Sequence, residues 1–292
     1  MKRLKGKVAV VTGAANGLGR ALAERSAQEG MKVVLADSDK NALAKTERDL
    51  TASGASVLAV VTDVSKVEDV QALAKKTLDT FAAVHLLCNA AAVHCPKPLT
   101  QATLADWKWV TGVNLFGAAY TINTLLPTMM KQDNECHIVN VAPVYGGFYA
   151  LPYNGLYNVS EYGIVTMSEI LSIELTDKYP KIGVTLLAPD YADPAILDSE
   201  RHRPAELRDA AAEETGGEAF PHLDEINGLI GAMSRAETPA GRLAEMAFDA
   251  IRAGKFYVFP HPGSKVLMRE RLAHIDDQSN PVNILQLMGV AG

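Results

Sequence analysis

The stretch that decides the fold reads VAVVTGAANGLGRAL and spans residues 8–22. It opens as a β-branched run, which is typical of a strand buried on both faces of a parallel sheet. Gly13, Gly17 and Gly19 follow, and an apolar pattern at helical spacing continues beyond them. A strand, a Gly-rich turn and a helix in that order predict a pyrophosphate site, because small residues admit the phosphates and free helix N–H groups donate to them. The alternative is an ordinary Gly-rich turn, but its position directly after the first strand favours the cofactor site.

Composition limits the class of protein. With 292 residues, 48% of them hydrophobic, the chain is expected to form one domain over 1–292. The net charge of −6 does not favour a nucleic-acid partner. No apolar run reaches membrane-spanning length, and the basic N-terminus leads into a strand-length run rather than a signal peptide. Cys88, Cys95 and Cys136 form neither an even disulfide framework nor a metal-like spacing, which indicates a reducing cytoplasm and no metal.

The chain alternates predicted strands and helices, with no internal repeat or linker. After the first strand, strands are predicted at 31–36, 56–62, 84–88, 137–141, 184–188 and 256–260. Helices are predicted from about residue 40 and at 66–81, 104–130, 155–175 and 242–253. From Pro189 to about residue 234 the chain is irregular and charged.

The second predicted strand runs into Asp37. At this place in a dinucleotide fold, a carboxylate accepts hydrogen bonds from the adenosine ribose and repels a 2′-phosphate. The loop before Gly17 has no Arg or Lys, and Ser38 follows Asp37, so no neighbour supplies a phosphate partner. The sequence therefore favours NAD over NADP. The alternative is that Asp37 only caps the helix that starts near Lys40.

Later motifs continue in register with the glycine loop. Thr12-Gly13-x-x-x-Gly17-x-Gly19 is followed by Asp37, Asp63-Val64, Asn89-Ala90, Asn114 and a Tyr157 that opens a helix. Together these motifs resemble the short-chain dehydrogenase/reductase family from about residue 4 to 281. The resemblance implies a Rossmann-type α/β fold, with a doubly wound, seven-stranded parallel sheet and helices on both faces. It also implies a substrate lid around 190–235 and a homodimer or homotetramer built on the long central helices.

The resemblance also implies which residues bind the cofactor at the carboxyl ends of the strands. These are Gly13, Asn16, Gly17, Leu18, Gly19, Asp37, Asp63, Val64, Asn89, Ala90, Tyr157 and Pro189. Glu161, which departs from the family's residue, is added because a carboxylate there can accept hydrogen bonds from the ribose.

Four polar groups carry the chemistry in active members of that family, and this chain retains two of them. Tyr157 matches the proton-transferring Tyr, and Asn114 matches the Asn that holds a water. The Lys expected four residues after the Tyr is Glu161, and the Ser expected after strand five falls on Ala142-Pro143. No Tyr in the chain has a Lys four residues on. The candidate catalytic residues are therefore Tyr157, Asn114 and Glu161, in an altered site.

The replacement of Lys by Glu161 has an electrostatic consequence for Tyr157. A free Tyr has a pKa of about 10, and a cation about 4–5 Å away would contribute about 3–4 kcal/mol toward its ionisation. An anion removes that contribution and adds a like-charge penalty. Tyr157 is therefore expected to stay a neutral donor. An ionised Glu161 near the nicotinamide would accept ribose hydrogen bonds and favour NAD⁺ over NADH.

Five tyrosines flank the expected substrate pocket, at positions 145, 149, 153, 157 and 162. They indicate either loop-anchoring residues or a pocket for an aromatic or flat substrate. His94 and Cys95, which follow strand four, are either pocket residues or ordinary loop residues.

Three functions fit these residues. The first is an NAD-dependent oxidoreductase on a small alcohol or ketone, with Glu161 as base and Tyr157 orienting the hydroxyl. The second is a lyase, isomerase or cyclase in which Glu161 or Asp190 abstracts a proton and NAD is structural. The third is a catalytically silent NAD-binding subunit. We favour the first function.

Overall fold

The computed structural model describes residues 1–190, 194–208, 228, 238–261 and 263–281. Its centre is a parallel sheet of seven strands in the order β3-β2-β1-β4-β5-β6-β7. In chain order the strands are β1 Val8–Thr12, β2 Lys32–Asp37, β3 Val57–Val61, β4 Leu86–Asn89, β5 Cys136–Val141, β6 Ile182–Leu187 and β7 Tyr257–Val258. The predicted doubly wound fold is confirmed, and the last strand is shorter than expected.

Helices cover both faces of this sheet. In the described residues they are α1 Gly17–Gln28, α2 Lys40–Ala52, α3 Val67–Phe81, α4 Leu104–Thr111, α5 Gly117–Lys131, a short α6 Val144–Gly147, α7 Gly155–Lys178, α8 Ala240–Ala253 and α9 Ser264–Asp276. Successive side chains of a strand point to opposite faces. Ala9 and Val11 of β1 accordingly pack in one core cluster with residues of α1 and α8, whereas Val8 and Val10 pack with residues of α3, α5 and α7.

The long helix predicted at 104–130 is interrupted. Between α4 and α5, Gly112–Phe116 forms a π-helical segment, which contains the buried Asn114. Such segments insert one residue into a helix and often occur at functional sites. The apolar periodicity predicted a continuous helix because the backbone does not leave the helix here and the flanking residues stay apolar.

The irregular region predicted after Pro189 lies partly outside the described residues, at 191–193, 209–227 and 229–237. Its described part contains two 3₁₀ helices, Pro194–His202 and Ala205–Leu207. We call residues 194–207 the strap. Within the described residues, no helix is both long enough and apolar enough to cross a bilayer.

Candidate active site

Two glycines of the first loop are fixed by close backbone contacts. Gly13 has a φ of +65°, and a Cβ there would lie 2.9 Å from the carbonyl oxygen of Ala90. A Cβ on Gly19 would lie 2.1 Å from the carbonyl oxygen of Gly13. Both contacts are with backbone atoms, which cannot move aside as a flexible side chain can. Glycine at these positions therefore lets α1 start directly against the end of β1.

The N-terminus of α1 is open to a ligand. The side chain of Asn16, the N-cap residue, makes no capping hydrogen bond. The first N–H groups of a helix have no partner within the helix. Leu18 and Gly19 line a cleft at this end of the helix. The backbone N–H groups and the helix dipole therefore form a site suited to an anion.

Asp37 lies at the same end of the cleft. Its carboxylate accepts hydrogen bonds from the backbone N–H groups of Ala15 at 3.0 Å and Asp39 at 2.9 Å. Burial raises the pKa of Asp37, and these two hydrogen bonds oppose the increase. The cap of α2 is Asp39, which accepts from the N–H groups of Asn41 and Ala42. The alternative interpretation of Asp37 as only a helix cap is therefore wrong.

The structure brings most of the sequence-predicted site residues into one cleft. It is lined by Gly13, Asn16, Leu18, Gly19, Asp37, Asp63, Val64, Asn89, Ala90, Asn114, Tyr157 and Glu161. Gly17 and Pro189 are not among the lining residues. The carbonyl of Pro189 instead accepts a hydrogen bond from the N–H of Val144 at 2.8 Å. Asp190, the other proposed base, lies 3.6 Å from His261 and does not line the cleft.

Two of the lining residues use their side chains within the protein. The amide of Asn89 donates to Asn140 at 2.9 Å and accepts from Thr121 at 2.7 Å. The carboxylate of Asp63 accepts from the hydroxyl of Ser65 at 2.6 Å. These bonds hold the loops in shape and use part of each side chain's hydrogen-bonding capacity.

Thr12 was not among the predicted site residues, although it precedes Gly13 in the quoted motif. It is buried, it lines the cleft, and its hydroxyl accepts hydrogen bonds from the N–H groups of Ala90 at 3.1 Å and Ala91 at 3.3 Å. The threonine thus joins the loops after β1 and β4. A hydroxyl at the end of a strand was the signal that could have identified it.

At the other end of the cleft, Tyr157 and Glu161 lie one turn apart on α7. Both are buried, with 1% and 2% of their surface exposed. A Cβ on Gly146 would lie 2.7 Å from the Tyr157 ring and 2.9 Å from Cγ of Glu161. The short helix α6 therefore packs directly on both side chains. Pro143, which precedes it and replaces the expected Ser, also lines the cleft.

The charge of Glu161 differs from the sequence-based expectation. Burial raises its pKa to about 8, and hydrogen bonding with Asn114 opposes the increase. Glu161 is therefore mostly protonated at neutral pH. In the cofactor-free protein, the like-charge penalty on Tyr157, which assumed an ionised Glu161, is wrong below about pH 8, because burial disfavours the charged form.

Asn114 is held in place by the loop after β4. Its Oδ1 accepts from the N–H of Val93 at 2.8 Å, and its Nδ2 donates to the carbonyl of Val93 at 3.0 Å. Nδ2 also lies 3.1 Å from the hydroxyl of Ser160. The π-helical segment thus directs this amide toward the cleft and fixes its orientation.

His94 and Cys95 do not line the cleft. The ring of His94 is buried and meets the Tyr157 ring edge-on, with centroids 5.3 Å apart. The thiol of Cys95 is 3.3 Å from a guanidinium nitrogen of Arg203. The described lining therefore favours the interpretation of both as ordinary loop residues, although His94 packs directly on the candidate catalytic Tyr157. In the described chain, no group of three or more His, Cys, Asp or Glu could hold a metal ion.

Of the five clustered tyrosines, Tyr157 alone lines the cleft among the residues described. The amide of Asn158 donates to the backbone carbonyls of Tyr145 and Tyr149 at 3.2 and 2.8 Å. Arg271 of α9 lies 5.1 Å from the ring centroid of Tyr162. The contact of Arg271 with the Tyr162 ring agrees with the loop-anchoring interpretation for that tyrosine, whereas the bonds from Asn158 involve only the backbone of Tyr145 and Tyr149.

The strap contributes lining residues that were missed from the sequence. Ile196, Ser199, Arg201, His202 and Pro204 all line the same cleft as Asp37 and Tyr157. Burial raises the pKa of Asp37, and a smaller electrostatic interaction with His202 of the strap opposes that increase. No local motif could have identified these residues, because their place in the site depends on how the chain returns across the sheet edge.

These features agree with what comparison with known proteins shows. The chain matches the short chain dehydrogenase family over residues 7–205, more than half of its length, and it belongs to that family of oxidoreductases. A relative, the CLA biosynthesis dehydrogenase/reductase of Lactiplantibacillus plantarum, is 29% identical over 281 residues, which cover 96% of this chain and 97% of that protein.

Two solved structures extend the comparison. A short chain dehydrogenase/reductase from Burkholderia phymatum in complex with NAD is 38% identical, with a TM-score of 0.90 and coverage of 97% of this chain and 99% of that one. The 3-ketoacyl-(acyl-carrier-protein) reductase from Brucella melitensis, complexed with NADH, is 34% identical, with a TM-score of 0.59 and coverage of 64% and 75%.

The residues present fit a nicotinamide dinucleotide. An uncapped helix N-terminus, a carboxylate at the end of β2 and a cleft that continues to Tyr157 are the three features such a cofactor needs. The cofactor would supply the hydride-accepting or hydride-donating ring, and the protein would supply binding, orientation and the proton.

Proposed function

We propose that this protein is an NAD-dependent oxidoreductase with an altered catalytic site, acting on a small alcohol or ketone. One observation carries the proposal: Glu161 stands one helical turn from Tyr157, is buried, and lines the same continuous cleft as Asp37. The binding of NAD by the Burkholderia phymatum relative and of NADH by the Brucella melitensis relative supports the choice of cofactor. The carboxylate of Asp37 supports NAD over NADP, because it would repel a 2′-phosphate.

In this mechanism Glu161 takes the proton that an alcohol loses on oxidation. Its pKa of about 8 is close to a working pH, which suits a group that must both accept and release a proton. Tyr157 would orient the substrate oxygen as a neutral donor. Asn114, fixed by the backbone of Val93, would hold the carboxyl group of Glu161 in position.

The same experiments also test the two alternative functions, a non-redox enzyme and a catalytically silent subunit. A lyase, isomerase or cyclase would use Glu161 as base without cofactor turnover, and a silent subunit would need no base. The oxidoreductase family and the matching fold favour the redox function over these two. The proposal could be narrowed to an aromatic substrate. The contacts of the five tyrosines do not support that narrower substrate class.

The test is NADH formation with NAD⁺ and a panel of primary, secondary and benzylic alcohols. Wild-type protein should turn over at least one alcohol, with a rate that rises with pH until Glu161 is ionised in the NAD⁺ complex. Glu161→Gln should lower kcat by about a hundredfold or more, because general-base catalysis contributes that much. Its NAD⁺ affinity should stay within a few fold. Glu174→Gln is the matched control, since Glu174 is exposed on the same helix.

The double variant Glu161→Lys with Pro143→Ser distinguishes an oxidoreductase from a lyase. For an oxidoreductase, it should raise hydride transfer on generic secondary alcohols, because it restores the family's cation and hydroxyl. For a lyase, it should abolish the native reaction, since a cation cannot act as a carboxylate base. A Glu161→Gln enzyme as active as wild type would contradict the proposed role of Glu161.

We also propose that the protein works in the cytoplasm as a homodimer or homotetramer. The three cysteines are buried and free, which suits a reducing compartment. On α7, the side chains of Val159, Ile170 and Ile173 are 50%, 50% and 71% exposed and offer an apolar face to a second copy. Light scattering that finds only monomer would contradict the assembly.

A further inference from the structure

The charged side chains that line the cleft are unevenly distributed. Among the described residues, three carboxyl groups line it, those of Asp37, Asp63 and Glu161. Among the described lining residues, Arg201 is the only Lys or Arg. A dinucleotide brings two negatively charged phosphates into this cleft. A cation near them would reduce the repulsion from the carboxylates of Asp37 and Asp63, so the position of Arg201 is informative.

The strap is anchored firmly at the end of the cleft near Tyr157. The hydroxyl of Ser199 accepts from the N–H of His94 at 3.0 Å, and His94 packs on Tyr157. Arg203 and Asp106 form an ion pair at 2.8 Å, with only 6% and 2% of their side chains exposed. The Arg203 guanidinium also lies 4.1 Å from the ring centroid of Trp109. These contacts fix the backbone on both sides of Arg201.

At the other end, the strap reaches the adenosine side of the cleft. His202 interacts electrostatically with Asp37, and Glu206 lies 3.9 Å from Lys66, next to the start of α3. Between Ser199 and Glu206 the chain therefore crosses from the Tyr157 end to the Asp37 end. Arg201 lies on this part of the strap and lines the cleft.

The guanidinium of Arg201 is held by groups that a phosphate could replace. It pairs with Asp198 at 2.6 Å, and its Nε donates to Nε2 of His202 at 2.8 Å. Arg201 and Asp198 are 41% and 71% exposed, and an ion pair that exposed adds little stability. A phosphate offers the same guanidinium a bidentate, charge-assisted contact. Replacing the Asp198 carboxylate by a phosphate would therefore cost little stability and would give the Arg201 guanidinium a stronger ion-pair partner.

We propose that Arg201 binds a phosphate group of the bound dinucleotide and so holds the strap over the cofactor. The proposal rests on the proposed function, since it requires a dinucleotide in this cleft. The strap would then bind the cofactor, in addition to forming part of the substrate lid that the sequence predicted around residues 190–235. In NAD the only phosphate groups are those of the pyrophosphate, so the pyrophosphate is the group that Arg201 would bind.

The experiment is calorimetric titration of the full chain with NAD⁺, ADP-ribose and NADP⁺. Arg201→Ala should weaken binding by about tenfold or more, while Arg208→Ala should leave it unchanged. Arg208 is the matched control, because it is exposed at the end of the strap and does not line the cleft. Thermal unfolding of each variant checks that the fold is retained.

The pattern across ligands identifies the phosphate. An equal loss for all three ligands would support a pyrophosphate contact, whereas a loss for NADP⁺ alone would show a 2′-phosphate contact instead and overturn the proposal. If wild type binds NAD⁺ and Arg201→Ala binds all three ligands equally well, or Arg208→Ala loses as much, the role of Arg201 is overturned. If wild type itself binds none of the ligands, the proposed function fails together with this inference.

Discussion

The two ends of the cleft are built by different means. At the Asp37 end, backbone contacts set the geometry: Gly19 packs against the carbonyl of Gly13, and Asp37 accepts two backbone N–H groups. At the Tyr157 end, side chains set it: Glu161 is buried beside Asn114, and Pro143 stands where a hydroxyl was expected. A site made from backbone tolerates little change in sequence. A site made from side chains can acquire new chemistry while the fold is kept.

The largest expected effect is on stability at the Tyr157 end. The folded pKa of Glu161, about 8, is above its ordinary value of 4.5, so the native state binds more protons than the unfolded state between these values. Stability should therefore fall as pH rises through this window, by up to about 5 kcal/mol from this group, and level off above it. The Glu161→Gln variant should lack this pH-dependent part of the free energy of unfolding.

Urea unfolding of the cofactor-free protein from pH 5 to pH 9 measures this difference. Glu174→Gln, the exposed control on the same helix, should keep the wild-type pH dependence. Parallel curves for wild type and Glu161→Gln would show that Glu161 is not buried in its neutral form.

A smaller effect is expected at the Asp37 end. NAD⁺ should bind at least tenfold more tightly than NADP⁺, because the Asp37 carboxylate accepts ribose hydroxyls and repels a 2′-phosphate. Asp37→Ala should narrow the ratio of the two dissociation constants, as measured by calorimetry. Asp39→Asn removes a nearby charge and keeps a capping side chain on α2, so it should leave the ratio unchanged within about threefold. Comparable NAD⁺ and NADP⁺ affinities in wild type would contradict the assignment.

The same contrast explains what could be predicted from sequence. The glycine loop and Asp37 were predictable, because glycine spacing after a buried strand reports local backbone geometry. The placement of Asn114 was less predictable, since the π-helical segment leaves the apolar pattern of the sequence almost unchanged. The pKa of Glu161 depends on burial by segments distant in sequence. Arg201 enters the site only through the path of the strap.

The charge of Glu161 beside the cofactor is the central claim, and proton release on NAD⁺ binding tests it most directly. At pH 7 Glu161 is mostly protonated in the free protein, and the positive nicotinamide ring of NAD⁺ should favour its ionisation. Calorimetry in buffers of different ionisation enthalpy should therefore find about 0.5–1 proton released per NAD⁺ bound to wild type. NADH, whose ring is neutral, should release far less, and Glu161→Gln should release almost none with either ligand. Equal proton release by wild type and Glu161→Gln, or NAD⁺ binding to wild type with no release, would contradict the account.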